Sequence, residues 1–229
     1  MSDDIIETAK ATQEVAKTTG KAIEASQKFG GFIAKYISGS LEQGMGIFED
    51  KLKYMRWERQ LRLIDKADDI LRSRGLEQPT KPIPLKLAIP LLEAASLEDD
   101  NYLQNLWINL LVNASDSEMG IELKRTYIDI LERITPLEGK ILESIYSLSF
   151  KESHHKGIAT ENLPDVAKII TDETRKDIKE PSLEIKLALT SLSILGCISL
   201  GKTMGGGEVF TDINPTYLGK YFIEACESN

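Results

Sequence analysis

The chain has 229 residues, 41% of them hydrophobic and 28% charged, which is typical of a soluble globular protein with one large or two small domains. Its net charge of -8 disfavours nucleic-acid binding by general attraction to phosphates, because that mode requires a basic surface. No stretch reaches the roughly 20 apolar residues that cross a bilayer, and no signal-peptide pattern follows the acidic opening Ser2-Asp3-Asp4. We therefore expect a cytoplasmic protein.

The first 48 residues combine a thin amphipathic pattern with a glycine-rich stretch. Residues 3–28 have a helical composition with few apolar positions, so a helix there needs a partner surface. Between Gly30 and Phe48, five glycines lie among apolar residues. One interpretation is a pair of short helices packed into the fold, and the other is a segment that contacts a membrane or another subunit. The second interpretation assigns the contact to Phe32, Ile33, Tyr36, Ile37 and Phe48.

Residues 49–75 predict a helix that ends at Gly75. The segment from Lys51 to Arg74 contains eight basic and four acidic residues, which gives it a net charge of +4 in an acidic chain. This segment is a candidate surface for anionic lipid, nucleic acid or an acidic protein. The alternative is a solvated face with ion pairs within the helix. The candidate binding residues are Arg56, Trp57, Arg59, Arg62 and Lys66.

The strongest pattern of the chain lies in residues 85–113, where apolar residues recur at helical spacing and predict a core stripe. Ser96 is the predicted N-cap of this helix. Upstream of Ser96, Pro90 predicts either a kinked helix or a short helix that restarts at Pro90. Asn105, Asn109 and Asn113 recur every four residues, which favours hydrogen bonding to a neighbouring element over a ligand-binding ladder. The core stripe consists of Leu103, Leu106, Trp107, Leu110 and Leu111.

A proline-rich strap at residues 78–84 must be extended. It joins KLKYMRWERQLRLIDKADDILRSRG to IPLKLAIPLLEAASLEDDNYLQNLWINLLVNA. This combination resembles the abortive-infection alpha family, bacterial proteins associated with defence against phage. The resemblance covers roughly residues 49–150, and its most specific part is EAASLEDD followed by LQNLWINLL. It implies a helical, non-enzymatic component of host defence and brings no catalytic residues with it.

The last part of the chain begins at a capping box, Thr135-Pro136-Leu137-Glu138. Helices are predicted from Pro136, near residues 163–171 and over residues 182–195, with a polar loop at residues 154–155. A hairpin around residues 205–207 and a helix from Asn214 follow. This order predicts a winged-helix-like module. The candidate recognition helix has Lys186 as its one basic residue, which favours protein contact over reading of bases.

No catalytic residue, metal ligand or cofactor is predicted. His154 and His155 are adjacent in sequence, so their side chains point in different directions and make a poor metal pair. Cys197 and Cys226 have apolar neighbours and are predicted to be core residues in a reducing compartment, with a disulfide or reactive pair as the alternative. We therefore expect a protein that is not an enzyme.

Together these patterns predict a mainly α fold in three regions, a glycine-rich helical segment at 1–48, a central helical domain at 49–134 and a winged-helix-like domain with a small β-hairpin at 135–229. We expect an anti-phage defence protein that binds a protein partner, a second copy of itself, or the anionic inner membrane surface as a peripheral protein. The alternative is a winged-helix scaffold or transcription-type regulator that binds protein or nucleic acid, although the composition makes nucleic acid the weaker of these partners.

Overall fold

The computed structural model describes residues 20, 24, 27–38, 57–176 and 178–228. The chain forms two compact units, Met1–Leu123 and Lys124–Asn229. The described residues are mainly helical, and the second unit also has a small antiparallel sheet. The predicted mainly α fold class is therefore confirmed at this level. The finer division into regions 1–48, 49–134 and 135–229 stays a prediction.

The first unit contains three described helices and a short parallel strand pair. The strand pair places Ile37 beside Ile83. A helical segment over residues 27–36 precedes the first strand. In chain order the elements are β1 (Ile37–Ser38), α1 (Trp57–Ser73), β2 (Ile83–Pro84), α2 (Leu85–Leu97), α3 (Asn101–Ala114) and a 3-10 turn (Ser117–Met119).

The predicted core stripe of α3 is confirmed, because all five of its residues are buried. The predicted N-cap is wrong. Asp100 caps α3, and its Oδ1 accepts from the backbone N–H groups of Tyr102 at 2.8 Å and Leu103 at 3.0 Å. Ser96 instead lies in α2, which continues through Pro90 to Leu97. Its hydroxyl donates to the carbonyl of Leu92 at 2.6 Å, the back-bond that serine makes inside a helix.

The second unit places five helices around a four-stranded sheet. The sheet order is β4-β3-β6-β5, and every neighbouring pair is antiparallel. In chain order the elements are α4 (Arg125–Leu131), α5 (Pro136–Tyr146), α6 (Phe150–Lys156), β3 (Ile158–Ala159), β4 (Lys168–Ile169), a 3-10 turn (Thr174–Lys176), α7 (Leu183–Ile194), β5 (Ile198–Lys202), β6 (Glu208–Pro215) and α8 (Tyr217–Cys226).

The start of α5 and the hairpin agree with the sequence analysis. Thr135 Oγ1 accepts from the Glu138 N–H at 3.3 Å, and Glu138 Oε2 accepts from the Thr135 N–H at 2.6 Å, so the capping box is present. Strands β5 and β6 pair as the predicted hairpin. Both cysteines are buried thiols, which confirms the prediction of core residues.

Three predictions for the second unit are wrong. The polar loop at His154 and His155 is helix α6. Residues 163–171 hold a turn and strand β4 instead of a helix, because Lys168 and Ile169 pair with β3. The last helix begins at Tyr217, since β6 extends through Pro215 along its partner β5.

Candidate interaction surfaces

Three arginines of the first unit donate to residues in and beside α3. Arg59 donates to Asn101 Oδ1 at 2.7 Å and to the carbonyl of Asp99. Arg62 donates to Asn105 Oδ1 at 3.0 Å. Arg74, which follows α1, donates to Asn113 at the far end of α3. Because arginines later in the chain contact acceptors later in α3, α1 and α3 run parallel. We call Arg59, Arg62 and Arg74 the arginine clamp.

Arg74 is the most enclosed member of the clamp. Its guanidinium pairs with Asp116 Oδ2 at 3.1 Å, and the two side chains are only 14% and 5% exposed. It also donates to Asn113 Oδ1 at 2.6 Å. The cation lies near the carboxyl end of α3, where the helix dipole favours positive charge. The predicted role of Asn105 and Asn113 in hydrogen bonds to a neighbouring element is therefore confirmed.

The proline-rich strap is anchored at the same end of α3. The backbone N–H groups of Thr80 and Lys81 donate to the carbonyl of Ser115 at 3.0 and 2.8 Å. Lys81 Nζ donates to the carbonyl of Ile121 at 3.0 Å. The two bonds to Ser115 give a partner to a carbonyl at the end of α3, where a helix leaves its last carbonyls without intrahelical partners. Arg74 and the strap thus fix the end of α3 from two directions.

The predicted cationic residues have different surroundings in the structure. Arg59 and Arg62 belong to the clamp, and Lys66 is exposed. Arg56 and the side chain of Trp57 lie outside the described residues. The cationic binding surface stays a prediction. An open groove on α1 is lined by three acidic side chains, two basic side chains and one leucine. The residues that line this groove are Glu58, Leu61, Arg62, Asp65, Lys66 and Asp69.

The apolar residues predicted for membrane or subunit contact lie mostly inside the first unit. Phe32, Ile33 and Tyr36 are buried, and the Phe32 and Tyr36 ring centroids are 4.7 Å apart. Ile37 is half-buried in β1, and Phe48 lies outside the described residues. Membrane contact through the buried three would require this segment to leave the core. That contact stays a prediction.

Helix α7 exposes apolar side chains to solvent. Leu183, Leu187 and Ile194 are 72%, 64% and 72% exposed. With Thr190 they follow helical spacing and lie on one face. We call these four residues the α7 stripe. The opposite face is buried and consists of Ile185, Ala188, Leu189 and Leu192.

The shortage of basic residues in α7 was predicted from the sequence, whereas this stripe was not. The signal was the presence of apolar residues on two opposite faces of the helix, since a helix that packs on one side only has a single apolar stripe. The one basic side chain of α7, Lys186, forms an ion pair with Glu180. Its ammonium also lies 5.9 Å from the centre of the Phe210 ring. Both contacts of the Lys186 ammonium are therefore with residues of the second unit.

Tyr146 joins α5 to the hairpin and to α8. Its hydroxyl donates to the carbonyl of Cys197 and accepts from the Thr216 N–H at 3.0 Å. Thr216 Oγ1 then accepts from the Gly219 N–H at 3.0 Å and so caps α8. Burial raises the pKa of the Tyr146 phenol to about 12, although its hydrogen bonds to Thr216 lower it. We call this group the Tyr146 junction.

Gly219 permits the close approach of α8 in the Tyr146 junction. A Cβ atom at this position would lie closer than 3.0 Å to the Tyr146 hydroxyl and to the Cys197 carbonyl. Burial also raises the pKa of the Cys197 thiol to about 12, with a smaller contribution from Glu138. A thiol held in its protonated form is a packing group and a poor nucleophile at neutral pH.

Metal-binding clusters and membrane-spanning helices are both absent from the part of the chain that the structure describes. No group of three or more His, Cys, Asp or Glu side chains there has an arrangement that could hold a metal ion. No helix among those residues is long and apolar enough to span a membrane.

The fold and surfaces define a mainly helical protein whose second unit combines helices with a four-stranded antiparallel sheet. The family model for abortive infection alpha matches residues 58–226, and the chain belongs to that family. The resemblance found in the sequence is thereby confirmed, and the match extends through α7 and α8. No curated protein and no solved structure matches the chain. Membership of this family indicates a role in abortive-infection phage defence.

Proposed function

We propose that the chain is a non-catalytic component of bacterial phage defence that acts by binding a protein partner through the α7 stripe. The observation that carries this proposal is the exposure of Leu183, Leu187 and Ile194 on one face of a regular helix. Burial of a single exposed leucine or isoleucine side chain contributes about 1.5–3 kcal/mol. Three such side chains in one row favour a partner that covers all of them together.

The arrangement around α7 supports a winged-helix-like interpretation of the second unit. The β5–β6 hairpin follows α7 directly, and β6 pairs with β3 on its other edge. In a module of this kind α7 occupies the position of the recognition helix. Bases are read by Arg, Lys, Asn or Gln side chains. The exposed face of α7 consists of Leu, Thr and Ile instead, which favours a protein partner over DNA.

The electrostatics of the two units also favour a protein partner over an anionic membrane. Peripheral contact with anionic lipid requires lysines or arginines beside an apolar face. Within α7 the exposed charged residue is Glu184, and Lys186 is paired with Glu180. In the first unit, Arg59 and Arg62 donate to residues of their own unit. We therefore favour protein contact for this surface.

The proposal is tested by phage plating on cells that carry the wild-type chain, Leu187→Glu or Val166→Glu. Val166 is a matched control because it is an exposed apolar residue of the same unit, outside the α7 stripe. We expect Leu187→Glu to lose protection and Val166→Glu to keep it. Full protection by a folded Leu187→Glu variant would overturn the proposal. Wild-type binding to duplex DNA or anionic vesicles that Leu187→Glu abolishes would also overturn it.

A further inference from the structure

We propose that a surface formed by α6 and α8 binds single-stranded nucleic acid by stacking its bases on exposed aromatic rings. We call this surface the aromatic platform, and its members are Phe150, His154, Tyr217, Lys220 and Tyr221. None of them belongs to the α7 stripe. The inference therefore goes beyond the proposed function and concerns a second binding surface of the same unit.

The rings of the platform lie together at the surface of the second unit. The Phe150 ring centroid is 5.2 Å from that of His154 and 5.0 Å from that of Tyr217. Tyr217 is nevertheless 61% exposed, and Tyr221, about one helical turn later in α8, is 48% exposed. Residues four positions apart share one face of a helix. Both tyrosines thus offer rings to one ligand on the same side of α8.

Hydrogen bonds fix the two helices of the platform relative to each other. His154 Nδ1 donates to the carbonyl of Pro215 at 2.9 Å. In return, Asn214 Nδ2 donates to the carbonyl of His154 at 3.3 Å. These bonds join α6 to the end of β6, just before α8 begins. A surface that is held in place before its ligand arrives loses less conformational entropy on binding.

Basic side chains lie beside the rings. The Lys220 ammonium is 5.3 Å from the ring centroids of both Phe150 and Tyr221, and it forms an ion pair with Glu224 at 3.4 Å. Lys151 and Lys156, near the two ends of α6, are exposed and form no ion pair with any other residue that the structure describes. These two lysines are the cations available to the phosphates of a bound strand.

A cleft of about 380 Å³ opens beside the platform, within the range of roughly 300–1,000 Å³ that is typical of small-molecule sites. Its walls combine the Phe150 ring with the side chains of Lys151 and Lys220. A single strand can place an unstacked base in such a cleft while neighbouring bases stack on rings outside it. The carboxylates of Glu224 and Glu227 also line the cleft and can accept from the amino group of a base.

This mode of binding is compatible with the net charge of -8. General attraction to phosphates requires many cations, whereas stacking requires flat rings and is open to every base of a single strand. The bases of a duplex are already stacked on one another. Two exposed rings on one face of α8 favour successive bases over an acidic peptide, which would use the lysines alone.

The inference is tested with the full chain and labelled oligonucleotides of about ten nucleotides, as RNA and as DNA, by fluorescence anisotropy. We expect single strands to bind and the matching duplex to bind more weakly, and the ratio of RNA to DNA affinity identifies the preferred strand. Tyr217→Ala and Tyr221→Ala should each weaken binding by roughly five- to hundredfold. Tyr217→Phe and Tyr221→Phe should keep it, because the ring remains.

A matched control and the salt dependence sharpen this test. Leu187→Ala truncates an exposed side chain of the same unit outside the platform and should bind like the wild type. Two phosphate contacts, at Lys151 and Lys156, predict that the logarithm of the binding constant falls with that of the salt concentration with a slope of about -1.4. Replacing both lysines by glutamine should flatten this slope.

Three results would overturn the inference. They are a wild type that binds neither strand, a duplex bound as tightly as the single strand, and unchanged binding by the double variant Tyr217→Ala/Tyr221→Ala. If that double variant loses phage protection while the wild type binds no oligonucleotide, the platform contacts a protein and the inference is wrong. The proposed function is tested separately, because Leu187→Glu alters the α7 stripe and leaves the platform residues in place.

Discussion

Helices α1 and α7 differ in whether their side chains make contacts within their own unit. Helix α1 and the turn that follows it are rich in arginine, yet Arg59, Arg62 and Arg74 donate to residues in and beside α3. Helix α7 is rich in leucine, yet Leu183 and Leu187 are exposed. Charge in a sequence therefore does not establish a binding surface, and apolar character does not establish a core.

The difference follows from what each side chain can satisfy within its own unit. A guanidinium has five N–H donors, and the amide and carbonyl oxygens of α3 and its flanking loops accept several of them. A leucine side chain forms no hydrogen bonds and is stabilised by burial against other apolar atoms. Because α7 already packs one apolar face on its unit, its second apolar face is left exposed to solvent.

The largest expected effect concerns the buried end of the clamp. Arg74→Leu should lower the free energy of unfolding by about 3–5 kcal/mol, because Asp116 would remain buried without its cation. Arg72→Leu, two positions earlier at the end of α1, is the matched control, since Arg72 is 70% exposed and pairs with an exposed Asp69. The control should cost about 1 kcal/mol or less. Equal losses in urea unfolding would contradict the structural role of the clamp.

The next effect concerns the second unit, whose helices meet at the Tyr146 junction instead of an arginine clamp. Gly219→Ala should lower the free energy of unfolding by about 1–3 kcal/mol, because its Cβ would overlap the Tyr146 hydroxyl and the Cys197 carbonyl. Gly31→Ala, in the helical segment of the first unit, meets open space and should be neutral or stabilising. Thermal unfolding of both variants tests this, and a stable Gly219→Ala protein would be inconsistent with the junction.

Alkaline pH should weaken the Tyr146 junction. The pKa values of Tyr146 and Cys197 rise from ordinary values of 10.0 and 9.0 to about 12. Because the folded state holds these protons more tightly, their contribution is complete below pH 9 and is lost as the pH rises towards 12. Tyr146→Phe should flatten the fall of unfolding free energy in this range. An identical pH profile in the variant would contradict the assignment to Tyr146.

The smallest expected effect on stability is that of Leu187→Glu. Its side chain is 64% exposed, and substitutions at such sites usually change the free energy of unfolding by about 0.5 kcal/mol or less. The melting temperature should therefore match that of the wild type while phage protection is lost. A large fall in melting temperature would mean that Leu187 supports its own unit.

Local patterns in the sequence predicted the features that neighbouring residues determine. The stripe around Trp107 depends only on helical spacing, and the capping box depends on Thr135 and Glu138. The strand β4 could not be predicted, because two residues become a strand only through pairing with β3. The acceptors of Arg59 lie some forty positions away along the chain, so periodicity carries no information about them.

The exposure of α7 was hidden for a related reason. Spacing shows which residues share a face, but it does not show whether another element covers that face. Leu183 and Leu189 have the same chemistry in the same helix, yet the first is exposed and the second is buried. Only the packing of α7 on the rest of its unit separates them.

The most direct measurement compares phage protection by Arg59→Gln and Leu187→Glu at a temperature where both variants are folded. Arg59→Gln removes a member of the clamp and should keep protection, because its hydrogen bonds lie within the first unit. Leu187→Glu should lose protection despite its unchanged stability. Loss of protection by Arg59→Gln together with full protection by Leu187→Glu would contradict the assignment of binding to α7.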